Sequence, residues 1–444
     1  MVVALLALII IYSLLFFSAP STGTLYFTVL QVVYWSITAI YLYKYRRNNI
    51  FGFELFFAIS YFLCCFLTLY LLPVMDSYES RSFIEDDGLI YRAYTLSLIG
   101  YLCYMMGLVV WKKKIANEKE YPPSFSSTPR KAKTLSNLLC SLFIALLFLN
   151  GGARMYTMYS NEEIVSSERL AGFDTFLSFA VISYIVSIVI NFASLPDSRR
   201  IRSVSFIYSF PLLFIINSII LIGTFLISGY RSNAIQIIIP LILAYQIKFK
   251  PLKTSSVLVV LSLGALLMFF IGMTRSGSEF NMGEYTTLTY LRDFKPSNAA
   301  TTFLINHVDY NGPTGGTNMV FPVLSIVPGL QSFVNNFVSV DLMAPVSSDL
   351  FTSAFSSNSG FGTNIIGDLY YSFGFPGVVL LMFLYGTFVC RLSRGKGNYK
   401  LVMFLVFAGN AMFAPRVEFC YIIRSIAWSV IFLGIIDILS RAEK

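Results

Sequence analysis

Apolar residues along this chain gather into long runs separated by shorter polar connections, at about 1–18, 24–43, 51–75, 89–111, 135–150, 171–194, 205–228, 232–247, 255–273, 376–390, 401–415 and 421–438. A hydrocarbon core about 30 Å thick needs roughly 20 mostly apolar helical residues per crossing. The pattern therefore predicts an all-α polytopic membrane protein with about twelve transmembrane helices. The first run has no Lys or Arg ahead of it and is long enough to span, so it reads as an uncleaved helix and not as a signal peptide.

One interruption stands out. Residues 274–363 are rich in Gly, Ser, Thr and Asn, and their acidic residues outnumber their basic ones. This divides the chain into helices 1–9 over residues 1–273, a long loop with short helices over 274–363, and a re-entrant segment with helices 10–12 over 364–444. Within the loop, Ser297 after Pro296 and before an apolar run ending near His307 predicts an N-capped helix. The stretch 320–343 is apolar but broken by Pro322, Pro328 and Gly329. Too broken to span, it suits a segment lying in the membrane interface, where it would roof a cavity.

Composition agrees. The chain has 444 residues, 56% apolar and 12% charged, with a mean hydropathy of +0.70. Lys44, Arg46, Arg47, the basic residues between Lys112 and Lys133, Arg199, Arg200, Arg202, Lys248, Lys250, Lys253, Arg391, Arg394, Lys396, Lys400, Arg441 and Lys444 fall in alternate loops and at the C-terminal end. Because basic loops stay cytoplasmic, both termini are expected inside and the long loop on the outer face. Outside this set the basic residues are Arg81, Arg92, Arg154, Arg169, Arg231, Arg275, Arg292, Lys295, Arg416 and Arg424, nearly all arginine. Arginine offers a planar fork that holds phosphate with two bonds. The net charge of +9 thus reflects topology and not a nucleic-acid partner.

A single histidine, His307, excludes a multi-histidine metal site, and no nucleotide-binding or serine-nucleophile motif appears. No cofactor or metal is expected. Arg231 and Ser232 sit where a short turn enters a helix, whose free N–H groups attract anions; the two form either a pyrophosphate cradle or a contact with lipid headgroups. Arg416, Glu418 and Arg424 cluster at the start of the last helix, as a substrate phosphate contact or as a charge-balancing group. Arg275 and Arg292 flank the entrance to the long loop, where each is a phosphate contact or a loop salt bridge. As an imidazole, His307 suits a general base, or it is a structural loop residue. Residues 361–377 contain a short helical run, a glycine break at Gly374 and Pro376 at a favoured helix start. Asp368 and Tyr371 share one face of that run. The Asp368 carboxylate either orients or deprotonates a sugar hydroxyl, or anchors a loop.

The stretch Gly362-Thr-Asn-Ile-Ile-Gly-Asp-Leu-Tyr-Tyr-Ser-Phe-Gly-Phe-Pro-Gly-Val378 resembles the signature of bacterial oligosaccharide repeat-unit polymerases, the Wzy-type O-antigen polymerases. Ser228-Gly-Tyr-Arg-Ser-Asn233 is similar to their other recurring arginine turn. The resemblance implies a GT-C-type membrane glycosyltransferase of the bacterial inner membrane. It would join undecaprenyl-pyrophosphate-linked oligosaccharides, donor and acceptor alike, at the periplasmic face, without metal or nucleotide sugar and with release of undecaprenyl pyrophosphate. Arg231 matches a family position that binds the diphosphate. Arg275, Arg292, Arg416 and Arg424 are assigned by placement, and His307 by its position in the loop. Where the signature often has Glu, this chain has Asp368. The expected chemistry is inverting transfer, with His307 or Asp368 as catalytic residues and Ser232, Tyr371 and Glu418 in support. Membrane lipids and a chain-length regulator protein are the further partners implied. An O-antigen ligase-like transferase and a lipid-linked oligosaccharide flippase or transporter are the alternatives. A transporter should carry ionisable residues at mid-membrane depth, where only Glu54 stands apart from the outer cluster.

Overall fold

The computed structural model describes residues 1–18, 24–46, 52–67, 87–116, 125–126, 128–150, 173–195, 209–228, 230–249, 295–327, 330–335, 344–354, 362–394 and 397–441, with isolated positions between 255 and 264. Among them every regular element is helical. The helices are α1 (Val2–Ser18), α2 (Thr24–Arg46), α3 (Phe53–Cys65), α4 (Asp87–Ala116), α5 (Arg130–Leu149), α6 (Phe173–Ala193), α7 (Leu212–Ile227) and α8 (Arg231–Lys248). They continue with α9 (Lys295–Asn311), α10 (Val320–Leu324), α11 (Leu330–Asn335), α12 (Ser347–Ala354), α13 (Ile365–Leu392), α14 (Asn398–Gly409) and α15 (Tyr421–Arg441).

Each predicted span appears as a helix except that at 255–273, which lies almost wholly outside the described residues. Six helices, namely α2, α4, α5, α6, α13 and α15, are long and apolar enough to cross a bilayer, and α1, α3, α7 and α14 are shorter apolar helices. All-helical among the described residues, the chain is an integral membrane protein.

Helices α4 and α13 form the central pair, flanked by α1 and α9. Glycine makes their contact possible. A Cβ on Gly107 would lie 2.2 Å from the Phe383 carbonyl oxygen, and one on Gly386 would lie 2.1 Å from that of Tyr104. In a bilayer apolar side chains gain little by meeting one another, so close backbone approach through small residues is what holds two spans together. The second group is built on α6, which touches α5, α8, α14 and α15. Its buried polar contacts add specificity: Asn137 Oδ1 accepts from Ser187 Oγ at 2.6 Å and from Asn191 Nδ2 at 3.0 Å.

Side-chain contacts define two opposite ends of the bundle. At the basic end Arg46 pairs with buried Glu54 at 2.5 Å, Lys112 donates to the Tyr45 carbonyl, and the Arg391 guanidinium lies 3.9 Å from the Trp111 ring centre. Glu54, the one charge that stood apart in the sequence, is thereby neutralised at a helix end. The other end carries the described parts of the long loop. There the expected N-cap at Ser297 is corrected. The helix already includes Lys295, and Ser297 lies inside its first turn, its carbonyl accepting from Asn364 Nδ2. Of the broken apolar stretch, the described residues form two short helices, α10 and α11.

Candidate functional site

The site is organised by the first half of α13. Asn364 has extended backbone, and its side-chain oxygen accepts from the Gly367 N–H at 2.8 Å, which caps the helix. The Asn364 amide meanwhile donates to the Ser297 carbonyl and, at 2.5 Å, to Thr301 Oγ1, so one side chain starts α13 and ties it to α9. Gly367 lets α9 come close, since a Cβ there would stand 3.2 Å from Thr301 Cα.

The break expected at Gly374 is present, with φ 65° and ψ −159°, a conformation essentially confined to glycine. A break leaves carbonyls of the preceding turn without helical donors, and Pro376 has no N–H to give to Ser372. The loop supplies them: the Thr314 N–H donates to the Tyr371 carbonyl at 3.0 Å, and the Gly316 N–H to the Ser372 carbonyl at 3.1 Å. Backbone strain in the span and the docking of the loop are therefore one feature.

Asp368 is 1% exposed. Its Oδ1 accepts from Ser347 Oγ at 2.7 Å and Asn318 Nδ2 at 3.3 Å, and its Oδ2 from the Phe419 N–H at 2.9 Å. Glu418 accepts from the neighbouring Ser348 Oγ. One turn away on α13, the buried Tyr371 ring meets the half-buried His307 ring edge-on, with centroids 5.7 Å apart. His307 Nδ1 is 3.4 Å from Asn311 Nδ2, a donor that also reaches the His307 carbonyl at 3.1 Å. Asp309 is held by both terminal nitrogens of Arg92 and, at 3.4 Å, by Tyr370 Oη, which joins α9 to α4 and α13.

Arg416 ends a short 3₁₀ turn packed against α3. Arg424, in the first turn of α15, donates from Nη2 to Thr175 Oγ1 at 3.2 Å. Its Nε is buried with no hydrogen-bond partner among the described residues. Such an orphaned donor is costly, by about 1–3 kcal/mol, unless something accepts from it. Arg231 opens α8 as expected, with Tyr230 at the cap. Ser232 is exposed and donates to Asn233 Oδ1 at 3.3 Å. Arg275 and Arg292 lie outside the described residues.

Thus His307, Tyr371, Asp368 and the turn bearing Arg416 and Glu418 meet the same two turns of α13. Sequence reasoning missed Asn364, Asn318, Ser347 and Ser348. Asn364 had a visible signal, an Asn three residues before the amide it caps at the head of an apolar run. Asn318 and the two serines had none, because what marks them is a partner 50, 21 or 70 residues away.

The sequence profile of the O-antigen polysaccharide polymerase Wzy family matches residues 1–442, nearly the whole chain. The chain belongs to that family. No curated protein and no solved structure matches it. The Wzy family polymerises O-antigen repeat units and acts on lipid-linked oligosaccharides, and an integral membrane protein of this family in bacteria resides in the inner membrane.

Proposed function

We propose that this Wzy polymerase joins undecaprenyl-pyrophosphate-linked repeat units by inverting glycosyl transfer at the loop end of the bundle, which faces the periplasm. In this reading twelve spans in a GT-C-type arrangement put both termini in the cytoplasm. The long loop, 274–363, forms a unit between the spans of 1–273 and those of 364–444. The growing chain leaves its carrier as the acceptor hydroxyl attacks the anomeric carbon. The glycosidic C–O bond to the pyrophosphate breaks with its electron pair remaining on the phosphate oxygen, and the hydroxyl proton passes to His307.

Charge develops on the departing pyrophosphate, so preformed cations stabilise the transition state more than the ground state. Arg231, Arg416 and Arg424 take this part here, with Arg275 and Arg292 assigned to it by placement; no metal is needed for it. Ser232, Tyr371 and Glu418 support them. A chain-length regulator is the expected protein partner. The observation that carries the reading is the buried Arg424 Nε, a donor awaiting an acceptor at the end of the bundle where His307 also stands. The helix start at Arg231 adds free N–H groups that favour an anion.

The test is polymer length in a strain lacking its own polymerase. Arg231→Ala and Arg424→Ala are each expected to lower polymer formed per accumulated protein by about 100-fold, the usual effect of removing one such donor. Long polymer at normal protein levels in both variants would overturn the diphosphate assignment. A ligase-like transfer is separated by supplying a lipid A core acceptor in place of a second lipid-linked unit.

A further inference from the structure

We propose that Asp368 is a positioning residue, a buried carboxylate that fixes the long loop and the Arg416–Arg424 segment against α13; this rests on the reading that those arginines hold the diphosphate.

Its three donors come from three segments that reach α13 independently: the turn at 314–318, the first residue of α12, and the turn between α14 and α15. An ionised carboxylate accepts only, and each partner here donates, so the surroundings are matched to an anion. Burying a carboxylate without a cation on it is costly, and hydrogen bonds from several sides are what make it tolerable. The arrangement also sets register. Ser347 bonds Asp368 while Ser348 bonds Glu418, and Phe419, next to Glu418, returns its N–H to Asp368. A slip of α12 by one residue would break both serine bonds together. The chain between Arg416 and Arg424 is thereby pinned at 418 and 419, close to each arginine. Nearly complete burial of a carboxylate that already holds three donors leaves the acceptor proton to His307.

The experiment compares full-length Asp368→Asn, Ser347→Ala and the double variant in detergent or nanodiscs, with purified lipid-linked repeat unit as substrate. In Asp368→Asn an amide N–H₂ replaces one acceptor and meets a donor. Turnover is expected to fall by about 10- to 100-fold, as a displacement of about 1 Å at a reacting centre does. The pH–rate profile should keep its shape, Ser347→Ala should add less than about twofold on top of Asp368→Asn, as expected when both act through one contact, and Ser347→Thr should retain activity. Unchanged turnover in Asp368→Asn, loss of one limb of the pH profile, or fully additive effects of the two substitutions would each overturn the proposal. Amide hydrogen exchange over peptides containing Phe419 reads the contact without catalysis. It should quicken at least about tenfold in Asp368→Asn, by loss of more than 1.4 kcal/mol of protection, and unchanged exchange overturns the proposal. If Arg424→Ala keeps full turnover while exchange at Phe419 behaves as expected, the diphosphate reading fails and the positioning contact stands. Should Asp368→Asn not accumulate, Ser347→Ala against Ser347→Thr, read by turnover and by exchange, decides the same question.

Discussion

The two halves of α13 are held in place by different physics. Beyond Gly374 the helix meets α4 through glycine, with backbone against backbone and no room for a side chain at Gly386. Before Gly374 polar side chains find partners on other segments: Asn364 on α9, Asp368 on two loop segments and the α15 turn, Ser372 Oγ with Asn318 at 2.9 Å. Close packing in a bilayer is insensitive to charge and tolerates sliding only at steric cost. Directional bonds specify one register and are lost as a set. A span thus anchors the bundle, and its polar preface holds the loop in one place against it.

The sharpest way to break this contrast is to strike the seam. Gly386→Leu forces α4 and α13 apart by more than a bond length, and is expected to cost more than about 3 kcal/mol. Little protein should survive solubilisation as a monodisperse species in size-exclusion chromatography, and the polymer should disappear with it. At the other half, Asn364→Ala removes a cap and two buried donors. A loss of about 2 kcal/mol follows from about 1 for the cap and the remainder for the two bonds. The protein should reach the membrane, with thermal unfolding earlier and polymer formed per molecule reduced. Equal loss of accumulation in both variants would remove the distinction between the halves.

The joint itself comes next. Gly374→Ala puts a Cβ on a backbone with φ 65° and is expected to cost about 1–2 kcal/mol of unfolding free energy. The substitution strains the two amide bonds from Thr314 and Gly316 because they depend on the same break. Proteolytic clipping of the loop should therefore rise in Gly374→Ala before the spans lose their helical circular dichroism, and simultaneous loss would show that the break belongs to the bundle and not to the loop.

How much of this could be read from residues alone divides along the same line. Spans are periodic and long, so α1 through α8 and α13 through α15 were legible from apolar runs, and the break at Gly374 from Gly and Pro at their preferred places. Arg231 at a helix start was legible for the same reason. The polar half was not. Asp368 declares itself as an acid on a helix face, yet its partners Asn318, Ser347 and Phe419 are ordinary residues that only folding brings together. Ser297 misled because Ser is a favoured cap, whereas here its carbonyl accepts from Asn364 and the helix starts earlier.

The smallest effect tests whether every polar contact in the first half matters equally. Tyr370 Oη reaches Asp309 Oδ1 at 3.4 Å, at the edge of hydrogen-bond range, while Arg92 already holds both Asp309 oxygens. The Tyr370 ring, in turn, packs against Phe16 with centroids 6.1 Å apart, a contact that phenylalanine keeps. Tyr370→Phe therefore leaves no buried group unpaired, and its cost should stay below about 0.5 kcal/mol, with polymer length unchanged. Arg92→Lys replaces a two-pronged donor by one and should cost more than Tyr370→Phe in the same thermal assay. If the order is reversed, the tyrosine hydroxyl and not the guanidinium is what joins α9 to the core, and the polar half of α13 extends one residue further than its geometry assigns.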